Sequence, residues 1–585
     1  MQKTITDQPP LLSFEFASSS GQIQPLTFIN PIKIIKAETV EKVLPCLTEV
    51  QAEIEKGYYA AGYLSYESAP AFQPEMTVKE GHTIPLLWFG IFLEPVQDTV
   101  HSDGPYAISD WKPTVNKMQY RSSIKSIKNA IEQGLTYQTN YTIRLEADFK
   151  GDELSFFQKI KNGQSSSYCA YLNIDNYRIL SASPELFFHL KGNTLTTRPM
   201  KGTIKRGNTL EEDLQYINHL YHSEKNRAEN VMIVDLLRND LGMVAETGTV
   251  KVDKLFSIET FPTLHQMTST VTATVAKNRT LLDIFKAIFP CGSITGAPKL
   301  TTMEMISKLE DLPREVYCGA IGYITPKQEA IFNVPIRTVL IDKKMGKATY
   351  GVGGGITWDS TVEDEYDEIL TKARLLEEHP PEFQLLESLL LEDGSYFLLN
   401  EHLKRLKSSA HYFNFPYHKE ELQNALLSLA KQNQHGRFKV RMILEKSGVI
   451  TVEAQTIESI TSPIKIMLAD KPTSRNNRFL YHKTTNRDAY TPFQLAKPPY
   501  IFDVLLWNES EELTEYTNGN IVVEQDGKLW TPPVECGLLN GTYRQSLIQS
   551  GQVYEKVLTL EDLQNCQKVW FINSVRKWLE VEVVQ

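Results

Sequence analysis

The chain has 585 residues, with 61 Lys and Arg against 71 Asp and Glu, for a formal charge of −10. That length exceeds one ordinary domain, and the acidic balance argues against a general nucleic-acid surface, which needs clustered cations. With 41% apolar and 23% charged residues, the chain has the make-up of a globular protein with a large core. Six cysteines occur without a Cys-x-x-Cys pair, so neither a zinc site nor a redox motif is expected. The opening MQKTITDQPPLLSFEF lacks the apolar core of a signal peptide, and no window approaches the roughly 18 apolar residues of a membrane span. A cytoplasmic chain without membrane or nucleic-acid partners is expected.

In chain order, SYCAYLNI and YRILSASPELFFHL have the β-branched and aromatic content of paired strands. SEKNRAENVMIVDLLRNDLG reads as a helix that Ser223 can cap and Gly242 can end. TVEDEYDEILTKARLLEEH reads as another, with acids early and Lys372 and Arg374 late, as the helix dipole prefers. In EEHPPEF, Glu377 to Phe383, paired prolines stop a helix before the apolar run FQLLESLLL. This places a boundary near residue 380, with domains over 1–379 and 380–585. Beyond it come helix NEHLKRLKSSAHYF, strand RFKVRMILEK and hairpin GNIVVEQDGKLWTPP, where Asp526-Gly527 is a strong turn signal. Both halves mix α and β.

Several groups can carry chemistry. Glu365 and Glu368, three apart, share a helix face; with Glu229 from another helix they can hold Mg²⁺ through oxygen ligands. A pair of solvated surface acids fits the same spacing. YGVGGGITWDS contains Gly353, Gly354 and Gly355, which let a backbone approach an anion or simply form a tight bend. FPCGSITGAPK offers Ser293, Thr295, Gly296 and the cation Lys299, or a plain loop before a helix. Lys201 in RPMKGTIKR is either one more solvated cation or a buried amine of lowered pKa, able to act as a nucleophile. In FLYHKTTNRDAY, Lys483 can hold pyridoxal phosphate covalently if Glu515 faces the pyridine nitrogen and Arg405, Asn520, Gly541 and Thr542 hold the phosphate. A structural lysine fits that stretch too.

Eight motifs occur in order: SPELFF, RPMKGTIKR, SEKNRAENVMIVDLLRNDLG, FPTLHQMTSTV, FPCGSITGAPK, VYCGAIGYI, VPIRTVLI and GVGGGITWDSTVEDEYDEILTKA. Over residues 10–377 the chain thereby resembles the chorismate-utilising enzymes: anthranilate synthase, isochorismate synthase and aminodeoxychorismate synthase component I. GYLSYE and YQTNYT add support. Pro199-Met200-Lys201-Gly202-Thr203 resembles the Pro-Ile-Lys-Gly-Thr of the aminodeoxychorismate branch, not the Pro-Ile-Ala-Gly-Thr of the anthranilate branch; Ile to Met conserves volume. The resemblance implies that Lys201 attacks C2 of chorismate and that Glu185 protonates the departing 4-hydroxyl. It implies Glu229, Glu365 and Glu368 on Mg²⁺, Arg337 and Lys372 on carboxylates, and a cradle from Gly353, Gly354, Gly355, Thr295 and Gly296, with His265 near the pyruvyl side. Ammonia must reach C4. No cysteine sits in a Gly-x-Cys-x-Gly elbow, so a separate glutamine amidotransferase subunit, or free ammonia, is implied.

Over residues 381–585, HLKRLKSSAHYFNFP, VRMIL, HKTTNR, LTEYTNGNIVV, DGKLWTPP, GLLNGTYR and FINSVRKW resemble the fold-type IV pyridoxal-phosphate enzymes. These include branched-chain and D-amino-acid aminotransferases and aminodeoxychorismate lyase; HKTTNR and the fusion partner favour the lyase. The resemblance implies that Lys483 is displaced by the substrate's amino group and then serves as base and acid while pyruvate departs. It sets Asn573, Ser574 and Arg576 at a substrate carboxylate. Lys577 departs from the usual glycine, and Gly541-Thr542-Tyr543-Arg544 departs from Gly-Ile-Thr-Arg. The implied whole is α+β: a chorismate-binding enzyme fold of large antiparallel sheets with outer helices, then a fold-type IV α+β domain, together making 4-aminobenzoate for folate. The alternatives are an anthranilate- or isochorismate-type enzyme fused to an aminotransferase, or a second half that is not catalytic. Relatives of the second half are often dimers, which leaves a homodimer through it open.

Overall fold

The structure, a computed structural model, describes residues 10–18, 21–164, 166–374, 376 and 381–584. Most of the sequence boundary EEHPPEF lies outside them. The chain forms two compact units, Met1–Lys205 with Ile217–Pro380, and Arg206–Tyr216 with Pro381–Gln585.

The first unit holds two ten-stranded sheets, antiparallel throughout. Leu12, Phe14, Leu172 and Ile179 of one face Tyr63, Trp88, Ile321 and Ile331 of the other in one apolar core. The outer face of the first sheet presents Ile143, Leu145, Tyr350 and Val352 to Tyr120, Ile124 and Ile127 of the helix Lys117–Glu132. The second sheet's outer face packs Phe89, Phe188 and Phe332 on Val43, Leu47, Phe285 and Ile288 of two helices. Four layers result: helices, sheet, sheet, helices. Strands covered on both faces read as nearly continuous apolar runs, which is what SYCAYLNI shows.

Tyr168–Ile174 and Tyr177–Ser183 pair antiparallel, as the sequence indicates. YRILSASPELFFHL is not one strand, however. Tyr177–Ser183 stays in the first sheet, while Leu186–Lys191 pairs in the second. Pro184, with no N–H for a ladder, ends the first pairing, and Glu185 stands at the crossing. The helix Glu224–Gly242 is capped by Ser223, whose hydroxyl accepts from the Asn226 N–H at 3.4 Å. Gly242 is its last residue, but Met243 follows at φ −70, so no left-handed glycine ends it. The acidic helix spans Val362–Arg374.

The second unit has a four-stranded antiparallel sheet and an eight-stranded mixed one. Helices Leu399–Phe413 and Lys419–Gln432 bury Leu403, Leu406, Leu422 and Leu426 against Val440 and Met442 of the smaller sheet. Asp526 (φ 53) and Gly527 (φ 71) turn the hairpin between Gly519–Gln525 and Lys528–Thr531. The excursion Arg206–Tyr216 is fastened within this unit: Arg206 lies 4.3 Å over the Tyr412 ring and pairs with Asp213 at 2.8 Å. Among the described residues, no helix is long and apolar enough to cross a membrane.

Candidate active sites

In the first unit the strand Met200–Lys205 pairs with Leu264–Thr274, but the register slips between Met200 and Thr203. Gly202 carries this bulge at φ +92, and a Cβ there would lie only 3.0 Å from Asn226 Cβ. A bulge re-aims the neighbouring side chain. The Lys201 amine reaches the glycine strand Lys347–Ile356, 3.0 Å from the point a Cβ on Gly355 would occupy. Burial lowers the Lys201 pKa; Glu229 and Glu185 oppose that, and Lys372 adds to it. Glu185 is only 3% exposed and accepts a 2.6 Å hydrogen bond from Ser293. Burial pushes its carboxyl up to about 7, against the pull of Ser293 and Lys201.

The glycines lie in an extended strand beside Gln138–Gly151, not in a bend. Their smallness is demanded by neighbours. A Cβ on Gly353 would meet the Tyr141 carbonyl at 2.1 Å, and one on Gly354 would stand 3.3 Å from Glu365 and 3.7 Å from Glu368. The two acids therefore share one face toward that strand, as their spacing predicts. Lys372 pairs with Glu368 at 2.7 Å and donates to the Gly353 carbonyl at 2.7 Å. Burial raises the pKa of Glu229 and of Glu365. Among the described residues, no three carboxylate, histidine or cysteine side chains gather closely enough to hold a metal ion. The three-carboxylate cage is thus not preformed, because Lys372 holds Glu368 and Ser360 donates to Glu365 at 2.6 Å. Their hard oxygens still suit Mg²⁺, which prefers oxygen ligands and keeps several of its waters.

Thr295 donates its hydroxyl to the Cys291 and Gly292 carbonyls, and Gly296 (φ +148) pairs with Thr139. This fixes the loop on the strand Gln138–Gly151, along the edge opposite the one that pairs with the glycine strand. Lys299 is committed elsewhere, paired with Asp240 at 2.8 Å, so it is an anchor and not the ligand cation its motif offered. His265 is fully buried with Nδ1 3.1 Å from the Thr260 hydroxyl. Arg337 lies 5.9 Å over the Phe261 ring, and burial lowers its pKa.

In the second unit, the Lys483 carbonyl accepts from Leu386 N–H at 3.0 Å, tying its loop to the strand Leu385–Glu392. Burial, then Arg405, brings the Lys483 amine down to about 8. Glu515 is buried, accepts from the Tyr490 hydroxyl at 2.7 Å, and is pushed up to about 7 by burial. Arg405 makes a two-point pair with Glu387 and donates to the Asn540 carbonyl at 3.2 Å. Gly541 opens the helix Thr542–Gln549 with no capping side chain, and a helix start of this kind offers N–H groups to an anion. A Cβ on Gly541 would strike Asn520 Oδ1 at 2.0 Å, and the Thr542 hydroxyl is 3.2 Å from His402 Nε2. A buried lysine, a carboxylate and an uncapped helix start beside an arginine fit pyridoxal phosphate. Ser574 and Arg576 are instead engaged with backbone carbonyls, Ser574 with Ser388 at 3.3 Å and Arg576 with Glu458. Arg576 has Arg437 and Glu458 as charged neighbours, whereas Arg487 is the cation that acts on both Lys483 and Glu515.

Sequence reasoning missed Arg487, Tyr490, Glu387 and His402. Arg487 stood in the quoted HKTTNR and was the one with a visible signal. It also missed the bulge at Gly202.

Residues 93–378 match the family of chorismate binding enzymes, and residues 384–584 match amino-transferase class IV. Over 275 residues the chain is 40% identical to aminodeoxychorismate synthase component 1 of Salmonella typhimurium, covering 47% of this chain and 60% of that protein. Over 267 residues it is 34% identical to anthranilate synthase component 1 of Aquifex aeolicus, covering 46% and 54%. The chain thus spans 60% or less of the length of these two relatives. Anthranilate synthase component I of Streptococcus pneumoniae has the same fold as the first unit, with a TM-score of 0.54 at 24% identity over 64% of this chain and 94% of that one.

Proposed function

Because the chain joins a chorismate binding enzyme domain to a class IV amino-transferase domain, we propose that it makes 4-aminobenzoate in two steps. Residues 1–379 aminate chorismate at C4, and residues 380–585 remove pyruvate from the product. The observation that carries the reading is that Lys201 and Glu185 are both buried and act on one another electrostatically. Burial moves the amine toward neutrality and keeps the carboxyl protonated up to about 7, the states a nucleophile and an acid need. Lys201 Nζ forms a bond to C2, the ring double bonds shift, and the C4–O bond breaks as Glu185 gives its proton to the leaving hydroxyl, making water. Ammonia then bonds to C4, the double bonds return, the C2–Nζ bond breaks, and the Glu185 carboxylate takes the surplus proton. Arg337, Lys372 and the glycine backbone orient the carboxylates of chorismate. Glu229, Glu365 and Glu368 would hold Mg²⁺, which when bound neutralises a ring carboxylate.

Burial raises all six thiols, four of them to about 12, so no cysteine here has the activated character of a glutaminase nucleophile. This supports ammonia arriving from solution or from a separate glutamine amidotransferase subunit. In the second unit Lys483, Glu515, Arg405, Asn520, Gly541 and Thr542 would hold pyridoxal phosphate, which when bound supplies an electron sink. Lys483, brought down to about 8, takes the proton from the ring carbon bearing nitrogen and returns one to the departing pyruvate. The test is to incubate the protein with chorismate, ammonium, Mg²⁺ and pyridoxal phosphate. The expected products are 4-aminobenzoate and pyruvate; anthranilate in their place overturns the reading.

A further inference from the structure

Gln138 opens the strand Gln138–Gly151 and is only 1% exposed. Neither its Oε1 nor its Nε2 has a hydrogen-bond partner among the described residues. A buried carboxamide with no partner destabilises a fold unless something else satisfies it. Its position says what that is. Its carbonyl lies against Gly296, and its residue pairs with Ala297, so the GSITGAP loop holds its backbone. The strand it opens runs beside the glycine strand, where Gly355 pairs with Asn140. A Cβ on Gly355 would lie 1.9 Å from Gln138 Nε2 and 3.0 Å from Lys201 Nζ. The carboxamide and the reactive amine therefore share one small space above Gly355.

We propose that Gln138 is a substrate-binding residue of the first unit, whose carboxamide donates to the ring carboxylate of the cyclic substrate beside Lys201. This rests on the chorismate reading. C2, which Lys201 attacks, is bonded to the carbon that carries the ring carboxylate, so a donor next to Nζ faces that group. Glycine at 355 is then needed because any side chain there would displace the carboxamide.

Gln138→Leu removes the polar atoms and keeps the shape. If Gln138 serves the substrate, the variant is as stable as the parent or more so, while KM for chorismate rises about 10- to 100-fold, the effect of one hydrogen bond to a charged group. KM for ammonium stays within twofold. Gln138→Glu, which sets a charge against the carboxylate, raises KM for chorismate further. Gly355→Ala, which displaces the carboxamide, repeats the Leu result. An unchanged KM for chorismate in the Leu variant overturns the proposal, as does a loss of thermal stability that matches the loss of activity. Product identity in the parent is read in the same experiment. 4-Aminobenzoate with an unmoved KM sinks only the role of Gln138, whereas another product with a raised KM sinks only the chorismate-amination reading.

Discussion

Arg314 and Glu310 hold the floor of the first site, and removing one of them has a calculable cost. Arg314 is 2% exposed. It donates to both Glu310 oxygens, at 3.1 and 2.7 Å, and to the carbonyls of Ile294 and Asn140 at 2.8 Å each. Glu310 also accepts from the Thr142 N–H and hydroxyl at 2.9 and 2.8 Å. The cluster thus joins the loop before Thr295 to the strand that carries Gln138. Arg314→Met leaves Glu310 buried with only Arg144, 3.6 Å away, for charge. Breaking a buried pair from one side costs about 3–5 kcal/mol, most of it the stranded charge. Replacing Glu310 by Met as well removes that charge, so the double variant should recover at least half of the loss. Hydrogen exchange along Gln138–Gly151 reads the stability of this region separately from that of the second unit. A single-variant loss below about 1 kcal/mol refutes the reasoning. So does a double variant whose loss equals the sum of the two single ones.

Glu185→Gln should abolish amination and also change stability with pH. Its folded pKa of about 7 lies above the ordinary 4.5, so the carboxyl costs nothing below about 4.5 and its full penalty above about 7. Urea titrations should show the variant roughly 3 kcal/mol more stable than the parent at pH 8 and equal to it at pH 4, as the pKa difference sets; equal stability at both pH values contradicts the burial argument. Lys483→Ala should leave 4-amino-4-deoxychorismate accumulating, seen by mass spectrometry, and should lose the visible band of bound pyridoxal phosphate. Unaltered 4-aminobenzoate output would remove Lys483 from the second step. Gly527→Ala forces an alanine to φ +71 in the hairpin turn and should cost about 1 kcal/mol in denaturant unfolding of the second unit, without altering either activity.

What the sequence disclosed and what it withheld divide along a physical line. Local signals read well. Asp526-Gly527 announces its turn because few other residues tolerate two positive φ values in succession. Glu365 and Glu368 share a face because helix geometry is local, and the Ser223 cap follows from the unsatisfied N–H groups of any helix start. Gly353, Gly354 and Gly355 could not be read in the same way. Their meaning depends on Tyr141, Gln138 and Glu365 arriving from two other elements, so close approach to an anion and a tight bend both stayed open until those neighbours were in place. Lys201 shows the limit most clearly. Its local sequence is rich in cations, which describes a solvated loop as well as it describes an active site. The bulge at Gly202 and the approach of Gly355 take its amine out of water, and both are long-range. Only the ordered motifs carried that information in one dimension, because they preserve the set of elements that must converge. The same reasoning explains why Gln138 was passed over. A glutamine at the start of a strand is unremarked in sequence; it becomes informative when burial leaves both ends of its carboxamide without a partner among the described residues and its Nε2 shares the space above Gly355 with Lys201.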